Sequence, residues 1–181
     1  PIAFTGFGDP QRFPVDEFLR AIKEVIRRDG LDSFAFEDIR GYAPLRSTIA
    51  QILANQGVRG DPEHVLITSG SQQALTLIAQ ILLKPGDTVL VEKPSYDGAL
   101  DLFRAHRAKL VACPVDESGM QIEQLEPLLQ QHHPKLIYTI PTFQNPTGMS
   151  MSTARRRELV RLAECYNAAL VEDDFAAELR Y

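Results

Sequence analysis

From about residue 64 onward the chain alternates short β-rich runs with stretches of helical period, and this alternation limits the fold more than any other feature. "HVLIT" (64–68), "TVLVE" (88–92), "KLVACPV" (109–115), "KLIYTI" (135–140) and "ALVED" (169–173) read as five strands. Between them lie "SQQALTLIAQILL" (71–83), "YDGALDLFRAHR" (96–107), "MQIEQLEPLLQQHH" (120–133) and "STARRRELVRLAECYN" (152–167), which read as helices. Strands that alternate with helices of this length form a mostly parallel sheet covered on both faces. The expected fold class is therefore α/β, a three-layer α/β/α arrangement. Upstream, "FPVDEFLRAIKEVIRRDG" (13–30) puts Val15, Phe18, Leu19, Ile22 and Ile26 on one helical face, with a stop at Asp29-Gly30. "PLRSTIAQILANQG" (44–57) repeats the pattern with Leu45, Ile49, Ile52 and Leu53.

A hydrophobic share of 44% over 181 residues is enough for a real core. The formal charge of −5 leaves no electrostatic footprint for nucleic acid on this segment. Cys113 and Cys165 have no metal-site spacing and are expected to be two buried thiols. There is no membrane-length apolar run and no signal peptide, so a cytoplasmic protein is expected. Arg155, Arg156 and Arg157 point around a helix and read as a solvated surface, and His132-His133 as a solvated helix end.

Parallel α/β sheets bind ligands at the carboxyl ends of their strands, and four features sit there. In "ITSGSQQA" (67–74), Gly70 permits close backbone approach, and Ser71 and Gln72 open a helix. That is an anion site, or equally a Ser cap without a ligand. In "IPTFQNPTG" (140–148), Asn145 precedes Pro146 in a rigid loop and can offer an amide donor, although an isolated Asn-Pro more often only makes a turn. Asp173 ends the fifth strand beside Glu172 and Asp174. A carboxylate there needs a partner, either a structural Arg or a protonated ring nitrogen. Tyr96 in "EKPSYDGAL" can stack on a flat ring. A cofactor with a phosphate, a hydroxyl and a basic ring nitrogen would use all four features, and pyridoxal 5'-phosphate has those groups.

"GYAPLR", "ITSGSQQAL", "PGDTVLVEKPSY", "QNPTG" and "VEDD" occur in an order and spacing that resemble the large domain of the fold-type-I pyridoxal-phosphate proteins, the class I/II aminotransferases. The resemblance spans essentially the whole chain. It implies that Gly70, Ser71 and Gln72 hold the phosphate and that Tyr96 stacks on the pyridine. Asn145 would donate to the 3-hydroxyl oxygen, and Asp173 would pair with the ring nitrogen. It also implies residues 1–60 as a helical segment preceding the large domain, and 61–181 as the domain's first part. The Schiff-base lysine and the small domain are expected beyond Tyr181, so this segment alone is expected to be inactive. Phe175 and Phe36 stand where the family commonly has tyrosines, which puts efficient transamination in doubt.

"RAIKEVIRRDG" and "VEDDFAAELRY" further resemble the aminotransferase-like domain of GntR-type regulators of the MocR kind. That likeness implies an effector-sensing domain for an amino acid or amine, in a homodimer that touches DNA only through an upstream winged-helix domain. The alternative is part of a free-standing amino-acid aminotransferase. A nucleotide-binding Rossmann-like domain would lack its glycine fingerprint here.

Overall fold

The structure, a computed structural model, describes residues 10–35 and 38–175. The chain divides into two compact units, Pro1–Thr68 and Ser69–Tyr181. Phe36, Tyr181 and Arg180, the arginine nearest to Asp173 in sequence, lie outside the described residues.

In the first unit, α1 (Val15–Asp29) ends at Gly30, whose φ of 61° suits a residue without a side chain. α2 (Ala43–Asn55) starts with Pro44 in its first turn, where the missing N–H costs nothing. The motif "GYAPLR" is a structural knot. The Arg46 side chain is buried, donating from Nε to the Gly41 carbonyl (3.1 Å) and from Nη1 to that of Pro62 (3.0 Å). It also pairs with Asp38 and Glu63, each at 3.3 Å.

"HVLIT" does not form the expected strand. Pro62–His64 is a 3-10 turn, and residues 65–68 run on without a ladder. The Ile67 N–H bonds the Arg40 carbonyl instead (2.9 Å). Its β-rich composition is real, but a strand exists only where a second strand offers partners.

The second unit is the expected α/β fold. Its strands are β1 (Thr88–Lys93), β2 (Lys109–Asp116), β3 (Gly119–Met120), β4 (Leu136–Thr139) and β5 (Ala169–Glu172), in the order β3-β2-β1-β4-β5. β2, β1, β4 and β5 are parallel, and β3 is a two-residue antiparallel return whose Met120 was expected to open the following helix. Helices α3 (Ser71–Leu82) and α4 (Asp97–Ala105) cover one face, and α5 (Ile122–His132) and α6 (Thr153–Cys165) cover the other.

Period-two alternation assigns the side chains to these faces. Val89, Val91, Leu136 and Tyr138 pack with Leu75, Ala79, Ala99 and Phe103 from α3 and α4. Leu90 and Ile137 pack with Leu125, Leu129, Leu159 and Leu162 from α5 and α6. Of the two cysteines, Cys113 is buried but Cys165 is exposed, near the end of α6 on its solvent side. Burial pushes the Cys113 thiol up to about 12.

Candidate cofactor-binding site

β1 leads to β2 on one side, and β4 begins the other, so the chain reverses direction across the sheet between β1 and β4. The loops after β1, β4 and β5 open at the carboxyl edge beside that point, where α/β sheets hold ligands.

The first turn of α3 carries no side-chain cap. Gly70 is the cap residue, at φ 141°, a backbone conformation that side-chain-bearing residues rarely adopt. Ser71 is therefore the first helical residue, and its exposed hydroxyl does not cap the helix. This removes the reading of Ser71 as a plain cap and leaves a helix start with a hydroxyl beside it. Gln72 does a different job with its side chain: Nε2 donates to the Tyr96 hydroxyl at 3.2 Å.

Tyr96 starts α4 and is half-buried against the same apolar layer as Tyr138. Gly98 makes room for it. A Cβ at position 98 would lie 2.5 Å from the Tyr96 hydroxyl oxygen and would collide with Gln72 Nε2. The sequence reading did not single out this glycine; its place two residues after an aromatic at a helix start is the available signal. Gly98→Ala should gain up to about 1 kcal/mol in helix propensity. Overpacking should cost about 1–3 kcal/mol, so a net loss is expected in the thermal unfolding midpoint. An unchanged or raised midpoint would mean that Tyr96 simply moves aside.

Asp173 follows β5, and its N–H extends the ladder to the Thr139 carbonyl (2.9 Å). The Tyr138–Val171 register puts Tyr138, Val171 and Asp173 on the α3/α4 face, while Glu172 turns to the other side. Among the described residues the partner that the sequence left open is neither an arginine nor another cation. The buried Tyr138 hydroxyl donates to Asp173 Oδ2 at 2.7 Å. Burial, and then the carboxylate, push the Tyr138 phenol far above its ordinary range. One Asp173 oxygen is thus held by tyrosine, and the half-buried carboxylate keeps capacity for a second donor.

Asn145 is half-buried on the loop after β4, and its amide makes no hydrogen bond among the described residues. Its neighbour Gln144 is buried and bonded on both sides: Nε2 donates to Glu92 Oε2 (3.0 Å) and the Pro94 carbonyl (2.8 Å). Burial raises the Glu92 carboxyl, and the hydrogen bonds from Thr139, Gln144 and Ile140 partly offset this.

Two of the three arginines read as solvated hold loops instead, because the turn of α6 that carries them packs on the turn between β2 and β3 and on the loop after β4. Arg155 grips Asp116 (2.5 and 2.9 Å) and the Gly119 carbonyl (3.0 Å). Arg156 donates to the carbonyls of Met151 (3.0 Å) and Pro141 (2.6 Å) and to the Thr142 hydroxyl (2.9 Å). Ser95, just before Tyr96, has the one buried side-chain oxygen among the described residues that lacks a hydrogen-bond partner. Among the described residues no helix is long and apolar enough to cross a membrane.

A family profile described as aminotransferase class I and II matches residues 6–176. The chain belongs to the class I and II aminotransferase family. Within that family it is 37% identical to aromatic-amino-acid aminotransferase 1 of Thermococcus litoralis, over 97% of this chain and 44% of that protein. It is 33% identical to the probable rhizopine catabolism regulatory protein MocR of Rhizobium meliloti, over 99% of this chain and 36% of that one. Its fold matches LysN, an α-aminoadipate aminotransferase from Thermus thermophilus crystallised with N-(5'-phosphopyridoxyl)-L-leucine. The TM-score is 0.84 at 38% identity, over 93% of this chain and 42% of that one. The chain spans less than half the length of each of these relatives. Both classes implied by the sequence, aminotransferase and regulator, are thus among its family relatives.

Proposed function

We propose that the carboxyl-edge site binds pyridoxal 5'-phosphate, and that the domain serves as the effector-sensing part of a GntR/MocR-type transcriptional regulator. The observation that carries the cofactor assignment is Asp173: a strand-end carboxylate with one oxygen fixed by Tyr138 and no cation bonded to it among the described residues. A protonated ring nitrogen is the donor that this arrangement suits. The rest of the site fits the same molecule. The start of α3, at Gly70, Ser71 and the Gln72 main chain, takes the phosphate. Tyr96, steadied by Gln72, offers its face to the pyridine, and Asn145 offers its unclaimed amide to the ring hydroxyl oxygen. Bound there, the cofactor supplies an electron sink for bonds broken at the α-carbon of an amino acid.

In this reading the ligand sensed is an amino acid or amine and the protein is a cytoplasmic homodimer. DNA is touched only by a domain outside these residues, and the cofactor's lysine tether lies beyond Tyr181. A second reading, part of a free-standing aminotransferase, is favoured by the somewhat higher identity to the aminotransferase, 37% against 33% for the regulator. The full-length protein separates the two. A regulator binds an operator fragment, and an amino acid or amine changes that affinity with little turnover. An aminotransferase converts amino acid and 2-oxo acid pairs and ignores DNA.

Ser71 gives a separate test of the phosphate cradle. Losing a hydrogen bond to a charged group costs about 1.5–3 kcal/mol. Ser71→Ala should therefore weaken pyridoxal 5'-phosphate roughly tenfold or more in equilibrium titration and leave pyridoxal unaffected. Equal losses for both ligands would take Ser71 out of the phosphate site.

A further inference from the structure

The carboxyl group of Glu92 is buried at the end of β1, and its hydrogen bonds lead to the end of β4 and the loop that follows. Thr139 Oγ1 donates to Oε1 (2.6 Å), and the Ile140 N–H (3.2 Å) and Gln144 Nε2 (3.0 Å) donate to Oε2. Gln144 passes the connection on. Its Oε1 accepts from both the N–H (3.0 Å) and the hydroxyl (2.7 Å) of Thr147. Its main chain closes the loop as well, donating to the Met149 carbonyl (2.8 Å) and accepting from the Gly148 N–H (2.5 Å). Asn145 therefore stands between two residues, Gln144 and Thr147, whose positions trace back to one carboxyl group.

Glu92 extends the buried run Val89–Val91 and faces the α5/α6 layer with Leu90, and no ion pair reaches it among the described residues. A buried carboxyl without a cation is costly, and here that cost is offset by the donors it accepts from, all of them at the end of β4 or in the loop that follows. What the carboxyl alone provides is a pair of acceptor oxygens aimed at β4 and its loop.

We infer that Glu92 is a positioning residue for Asn145: acting through Gln144, it fixes the 141–149 loop and with it the direction in which the Asn145 amide meets the cofactor. The part concerning the cofactor rests on the function proposed above; the part concerning the loop does not.

The test compares E92A, E92Q, N145A and the double variant E92A/N145A in the full-length protein. The probe is pyridoxal 5'-phosphate, read by its dissociation constant and its visible absorption band. E92A should weaken binding about tenfold and shift the band in the same direction as N145A. The double variant should be no worse than N145A alone, since both changes remove one interaction. E92Q should restore most of the affinity. Its Oε1 can accept from Ile140 and Gln144 while its Nε2 donates to Thr139, whose hydroxyl is both donor and acceptor. Losses that add in the double variant, or an unshifted band in folded E92A, would overturn the inference. Should E92A not fold, Q144A cuts the same link from the loop side and carries the same expectations.

Hydrogen exchange of the Thr147 and Gly148 amides in the ligand-free protein supplies a readout independent of the cofactor. Faster exchange in E92A with protection regained in E92Q supports the loop role even if pyridoxal 5'-phosphate proves not to bind. Unchanged exchange in E92A overturns that role even if it does bind.

Discussion

Asp173→Ala in the full-length protein lowers the affinity for pyridoxal 5'-phosphate by roughly thirtyfold and moves the visible band of whatever cofactor remains. The magnitude follows from the site. Asp173 is half-buried, so its contact with a ring N–H is worth about 2 kcal/mol rather than the larger figure for a fully buried pair. Asp173→Asn separates charge from geometry. The asparagine carbonyl still accepts from Tyr138, so the local fold stands, but a neutral amide does not keep the ring nitrogen protonated. Most of the spectral change should therefore appear in Asp173→Asn as well. Equilibrium titration with absorbance reads both effects. Unchanged affinity and spectrum in both variants would remove Asp173 from the site, and with it the observation on which the cofactor assignment rests.

Phe103→Ala should be among the most destabilising single changes in the second unit, costing about 3–5 kcal/mol. Phe103 is fully buried on α4 and meets Tyr138 edge-on, with ring centroids 5.7 Å apart at 70°. The loss combines the apolar area, the cavity left behind and the aromatic pair. Against a total stability of about 5–15 kcal/mol for a typical domain, that is a large share. Denaturant unfolding should show a lower midpoint with an unchanged slope. Function should suffer too, because Tyr138 loses the ring that fixes its angle and then holds Asp173 less firmly. Phe103→Leu, which refills most of the space, should recover much of both losses. A midpoint shift equivalent to less than about 1 kcal/mol would show that this face closes over the gap.

How much of this was legible differs element by element. β1, β2, β4 and β5 appeared as apolar runs, and the helices between them as helical periods, because a sheet buried on both faces leaves that imprint locally. "HVLIT" carries the same imprint and forms no strand among the described residues, since pairing is a property of two segments. β3 was missed for the opposite reason: two residues, Gly119 and Met120, are too few to show a period. Arg155 and Arg156 looked like surface charge, because a charge run does not reveal which carbonyls lie beneath it.

The sequence by itself determined the α/β class, the covering of the sheet on both faces, and the placing of Ser71, Tyr96, Asn145 and Asp173 at helix starts and strand ends. These follow from local periods of two and 3.6 and from the turn chemistry of glycine and proline. Only the tertiary structure decided who meets whom. Tyr138 reaches Asp173 across 35 residues and Gln144 reaches Glu92 across 52, because β4 lies between β1 and β5 in a parallel register. Periodicity assigns each residue a face, but the order of strands assigns it a neighbour, and these hydrogen bonds depend on neighbours.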